Sequence, residues 1–284
     1  MGIFNKKSKA AISVTAFEKA FVNERVKLNP VVKAGSIVLY IIIIIAELAC
    51  VLMAVLDKTG VAPSPLTDKD KTTDNAQTVD IGSLPGDLQK LYRENFETAD
   101  FVSSYPEEKD KERVVSLKKY KASKQLPLFI QWDKQWGYLQ YGDTLAGVNG
   151  DGPMCLAMAG YHLTKDEKFS PDKIITYAQE NGYYKNGKGT LPTLMDKGAV
   201  GLGLKSEVLE ATKDNITAAI DEGKVVICLV NKGKLSASAH YVALRAHKDT
   251  KLFINDPTSV VNSEKEWPVE GFLPEIKNAV ALSV

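Results

Sequence analysis

The sequence predicts an α+β domain carried behind one apolar span, and three observations lead there. Residues 36–56 form a 21-residue run with a single charge, Glu47. From Leu84 onward, segments with helical spacing come first. Strand-like runs then crowd the stretch from Lys224 to Asn255. Helices first and strands later is the layout of helices packed on an antiparallel sheet.

Residues 1–35 form a basic tail with Lys6, Lys7, Lys9, Lys19, Arg25, Lys27 and Lys33. Within it, Thr15 and Glu18 make a capping-box pattern for a short helix that Asn29-Pro30 would stop. A helix over 36–56 rises roughly 30 Å, enough to cross a bilayer core. The basic region is too long, and the apolar run too extended, for a cleavable signal peptide. Excess Lys and Arg before the span places the N-terminus in the cytoplasm and everything after it outside the cell. The expected location is therefore the cell membrane, in one pass, with an extracellular C-terminal domain. Lipid is the expected partner of 36–56, and Glu47 could pair with another membrane protein, because a carboxyl at that depth is costly when unpaired.

Residues 57–83 are rich in Thr, Asp, Lys and Pro and are expected to be a disordered extracellular spacer. The folded domain is expected over 84–284. Leu84-Pro85-Gly86-Asp87 opens a helix carrying Leu88, Leu91, Tyr92 and Phe96. A charged loop surrounds residues 106–113. Pro127 to Trp132 reads as a strand. Helices come next over 153–163, from Ser170-Pro171 to Asn181-Gly182, and over 212–222. Strand runs close the pattern at 224–230, 240–246 and 252–255.

Composition narrows the function classes. The chain is 44% hydrophobic and 25% charged with a net charge of +1, which gives no concentrated basic face for nucleic acid. Cys50, Cys155 and Cys228 lack zinc-ligand spacing, so neither a metal nor another cofactor is expected, and the last two read as core thiols.

Two places could carry chemistry. A hairpin centred near Asp249 would bring His240, at the start of one strand, close to Asp256 at the end of the next. Imidazole beside carboxylate is the base–orienter pair of nucleophilic catalysis, although a histidine at a strand end also serves plain packing. The turn Gly150-Asp151-Gly152-Pro153 leads into a helix whose free N–H groups and dipole would stabilise an anion. An aspartate there is also a good helix cap.

These pieces carry a resemblance. Gln131-Trp132-Asp133 with Trp136-Gly137, the Gly150 turn running into Leu156-Ala157-Met158, His240-Tyr241-Val242 and Asn255-Asp256-Pro257 occur in that order. Asn181-Gly182-Tyr183-Tyr184 and Gly187-Lys188-Gly189-Thr190 lie between them. Together they resemble the bacteriocin-processing, double-glycine-leader peptidases in their thirty-nine-like, single-domain relatives. The likeness covers about 125–284 and reaches back to Asn95-Phe96-Glu97-Thr98 and Asp100-Phe101-Val102.

The resemblance implies a papain-like fold with Gln131 as oxyanion donor, His240 as general base and Asp256 as its orienter. It also implies that Asp151 stands where those relatives keep the nucleophilic cysteine. A carboxylate attacks amides poorly, so the expected function is a pseudopeptidase that binds a peptide or protein, more binding module than enzyme. The alternative is an active bacterial cysteine peptidase, using either Cys155 or a cysteine that natively occupies the place of Asp151. Cys155 lies one helical turn on, about 6 Å along the axis, and errors of about 1 Å already cost positioned catalysis dearly.

Overall fold

The computed structural model describes residues 79–284. The basic tail, the apolar run with Glu47 and nearly all of the spacer lie outside the described residues. Among the described residues, no helix is long and apolar enough to cross a membrane. The last spacer residues already carry structure: Ile81–Ser83 forms a 3-10 turn in which Asp80 caps the Gly82 amide.

Six helices frame the candidate site: α1 (Gly86–Glu94), α2 (Ala99–Ser103), α3 (Asp151–Thr164), α4 (Pro171–Glu180), α5 (Lys213–Asp221) and α6 (Val260–Glu264). One sheet holds β1 (Lys205–Leu209), β2 (Val225–Val230), β3 (His240–Lys248), β4 (Lys251–Asn255), β5 (Glu266–Pro268) and β6 (Ile276–Ser283). Their spatial order is β1-β6-β2-β3-β4-β5, with every pairing antiparallel. β1, β5 and β6 extend the three-strand expectation. β6 carries Ala279-Val280-Ala281-Leu282, an apolar run that is ambiguous from periodicity alone.

The sheet is covered on both faces, and the two-residue period divides its side chains between them. Ile227, Tyr241, Ala243, Val280 and Leu282 pack with α3 and α4 on one side. Val226, Cys228, Val242, Leu244, Ala279 and Ala281 pack with α5 on the other. Two covered faces explain why β2 reads as unbroken Val-Val-Ile-Cys-Leu-Val instead of alternating. α3 is surrounded too, since every residue from Gly152 to Tyr161 is buried. Pro153 is tolerated in its first turn, where its missing N–H removes no helix bond.

The expected strand over Pro127–Trp132 joins no ladder. Its contacts with the sheet come from elsewhere: Asn255 Nδ2 donates to the Leu126 and Pro127 carbonyls at 3.2 and 2.8 Å. The Gln131 N–H donates to the Pro257 carbonyl at 2.9 Å. The first helix is also shorter than the apolar spacing suggests. It ends at Glu94, and Tyr92 and Phe96 are 40% and 78% exposed, so they do not belong to the buried stripe.

α1 and α2 build a small third core from Leu84, Leu88, Phe101 and Val102 against Tyr138. The Phe101 and Tyr138 rings stack at 4.3 Å. A Cβ on Gly147 would lie 2.4 Å from the Phe101 ring, so only glycine lets the loop before α3 close onto this core.

Candidate active site

The hairpin between β3 and β4 turns tightly, with Lys248 paired to Lys251 and Asp249 in the left-handed region at φ 52°. Its register places Ala243 opposite Asn255, so His240 and Asp256 lie two places apart across adjacent strands. Their side chains meet: His240 Nε2 is 3.1 Å from Asp256 Oδ1. Both are buried, Asp256 completely.

Asp256 is held by more than the histidine. The Thr258 N–H and hydroxyl donate to Oδ1 at 2.8 and 2.7 Å, and Asn262 Nδ2 donates to Oδ2 at 2.9 Å. The Asp256 N–H itself donates to Ser263 Oγ at 2.9 Å. Burial alone would raise its carboxyl, but the His240 hydrogen bond and charge, with Asn262 and Thr258, bring it below the ordinary value of 3.8. Burial likewise works against a charged His240. The Asp256 hydrogen bond and charge, and then the charge of Asp151, outweigh it and lift the imidazole above 6.5. The favoured state is therefore an imidazolium against an aspartate. His240 Nδ1 lies 3.4 Å from the Ser238 carbonyl.

Asp151 is the first residue of α3, one place inside the Gly150 cap position. It does not cap the helix in the expected way. Its Oδ2 reaches to the sheet and accepts the Tyr241 N–H at 2.7 Å, joining the start of α3 to the residue after His240. Burial raises the Asp151 carboxyl, while His240 and the Tyr241 and Gly152 amides hold the rise back. A Cβ on Gly152 would lie 2.5 Å from Thr190, so the hairpin Tyr184–Lys185/Gly189–Thr190 seats against this turn. Tyr141, whose hydroxyl lies 2.8 Å from Thr190 Oγ1, backs the same wall.

Gln131 reaches the same loop, but its amide is engaged. Nε2 donates to the Gly147 and Val148 carbonyls, both at 3.2 Å, and Oε1 is buried without a partner. As placed, the carboxamide ties down the loop that enters α3, and donating to an oxyanion would require it to turn away from those carbonyls. Cys155 points into the core with no exposed surface, and burial followed by the charge of Asp151 pushes its thiol well above the ordinary value of 9.0. An accessible thiolate is not what this position offers. Among the described residues, no group of His, Cys, Asp and Glu could hold a metal ion.

The fold thus brings Asp151, His240 and Asp256 together, with Gln131 bonded to the loop before the turn. Sequence reasoning missed Thr258, Asn262 and Ser263. Asp256-Pro257-Thr258 carries the signal of an Asx turn, an Asp bonding the backbone two residues on. Asn262 and Ser263 carry no comparable local signal.

The chain matches no family model and no curated protein. Among solved structures, it is similar to the peptidase domain of Streptococcus ComA, described as a bi-functional ABC transporter involved in a quorum sensing pathway. That likeness is 22% identical and covers 56% of this chain and 98% of the other, with a TM-score of 0.41. The peptidase domain of Streptococcus mutans ComA in complex with a small-molecule inhibitor is 19% identical over 56% of this chain and 99% of its own, at 0.36. A thirty-nine-like peptidase from Bacillus anthracis is 14% identical over 57% and 96%, at 0.39. The two Streptococcus structures are described as peptidase domains and the Bacillus anthracis one as a peptidase-like protein.

Proposed function

We propose that the domain is a pseudopeptidase, a peptidase-family cleft that binds an extended peptide or protein segment without cutting it. One observation carries this reading: the side chain at the turn entering α3 is a carboxylate, and its Oδ2 accepts the Tyr241 amide. A carboxylate so placed serves as a strut between helix and sheet, and it is a weak nucleophile towards an amide. The buried Cys155 thiol supplies no substitute. The His240–Asp256 pair and the glycine-flanked turn remain, giving the site polar groups without the sulfur that acyl transfer by this arrangement needs.

On the same reading, the domain is displayed outside the cell by a membrane span over 36–56, with Glu47 available to a membrane-protein partner. Protease accessibility on intact cells tests that part. The site is tested by incubating the full chain with a synthetic peptide in which a leader ending in two glycines is followed by several further residues, and recording titration and mass spectra together. Saturable binding with no cleavage product is the expected outcome. Cleavage would overturn the pseudopeptidase reading, and the absence of any binding would overturn the peptide-binding one.

A further inference from the structure

The loop that presents Asp256 is not held by the sheet alone. Residues 95–97, in the connection between α1 and α2, grip it from outside. The Glu97 carboxylate accepts the Ser259 hydroxyl through Oε1, and through Oε2 it accepts the Val260 and Val261 amides at 2.7 and 3.3 Å. Asn95 Nδ2 donates to the Thr258 carbonyl at 2.8 Å. α6 has five residues, too few to be stable on its own account. Its first amides would lack partners without such an acceptor. The same stretch contains each residue, apart from His240, whose side chain bonds Asp256: Thr258, Asn262 and Ser263. Ser259 relays the grip inward, accepting the Asn262 N–H on Oγ at 3.0 Å and the Ser263 hydroxyl on its carbonyl at 2.8 Å.

We propose that Glu97 is a positioning residue for the His240–Asp256 pair: it fixes the 258–263 loop, and the loop fixes the carboxylate. Asn95 does the same more weakly through Thr258. The α1–α2 segment is on this account part of the site and not a packing accessory. Glu97 acts on the geometry of the pair, whether or not a peptide binds beside it.

The experiment is an NMR titration of His240 in the full chain, paired with hydrogen exchange at Val260 and Val261. Glu97→Ala should bring the His240 midpoint down by about half a unit or more and speed exchange at both amides at least tenfold. Glu97→Gln keeps an acceptor oxygen and should restore at least half of each change. Asn95→Ala should move the midpoint in the same direction by less. A folded Glu97→Ala protein with an unmoved midpoint would overturn the proposal, as would Gln and Ala variants that behave alike. Should Glu97→Ala fail to fold, Glu97→Asp withdraws the oxygens by one methylene while keeping the charge. A lowered midpoint then supports the proposal, and an unchanged one overturns it.

Discussion

Two histidines on β3, seven residues apart, each meet an aspartate from another element, and by distance alone the wrong pair looks stronger. His247 Nε2 lies 2.8 Å from Asp221 Oδ1, and His240 Nε2 lies 3.1 Å from Asp256 Oδ1. The outer pair is open to water, with the Asp221 side chain 70% exposed, and the inner pair is buried. Exposed pairs contribute little, because water screens them and long side chains resist being fixed. A buried pair cannot lose one partner cheaply, since the survivor keeps its desolvation cost without compensation. Surroundings, more than separation, decide what each pair does.

The largest expected effect comes from breaking the inner pair. Asp256→Asn leaves His240 buried without its anion and should cost about 3 kcal/mol in chemical denaturation near pH 6. The His240 midpoint should fall in the same variant. The pH dependence has a defined sign. The lowered Asp256 contributes stability above about pH 3.9 that is lost as the pH falls through its folded value. The raised His240 contributes stability in full below about pH 6.5 that is lost as the pH rises through its folded value. The gap between wild type and Asp256→Asn should therefore be widest between about pH 4 and 6.5, and narrow on either side. A gap that grows steadily into alkaline pH would contradict the imidazolium–aspartate assignment.

A middle-sized effect should come from the strut. Asp151→Ala strips the Tyr241 N–H of its acceptor and should cost about 1 kcal/mol, offset in part by removing a carboxyl whose burial opposes its ionisation. Hydrogen exchange at Tyr241 is the direct readout, and an unchanged rate would show that the strut does not act. The smallest effect belongs to the outer pair: Asp221→Asn should change stability by less than about 0.5 kcal/mol.

The parts of this site visible in the sequence are those set by local geometry. A short polar turn between two apolar runs fixes a hairpin register, and the register alone puts His240 beside Asp256. Glycines around Asp151 mark a sharp entry to an apolar helix. The roles of Gln131 and Asp151 were less legible, because each is settled by a partner far away in sequence. Gln131 bonds the carbonyls of residues 147 and 148, and Asp151 bonds the amide of residue 241. The sequence at 127–132 looks strand-like, yet the carbonyls of Leu126 and Pro127 are satisfied by the Asn255 side chain instead of a ladder. The grip of Glu97 on residues 259–261 spans more than half of the chain and has no local trace.

The most direct test of the proposed reading, that a carboxylate beside the His240–Asp256 pair stands where a nucleophile would be needed, is native alkylation with iodoacetamide and subsequent peptide mapping. Wild-type protein should take no label at Cys155 or Cys228 while folded, because both thiols are buried and shifted away from the thiolate. Asp151→Cys should label rapidly at position 151, and adding His240→Ala should slow that labelling at least tenfold. Rapid, His240-dependent labelling of Cys155 in the wild-type protein would contradict the account.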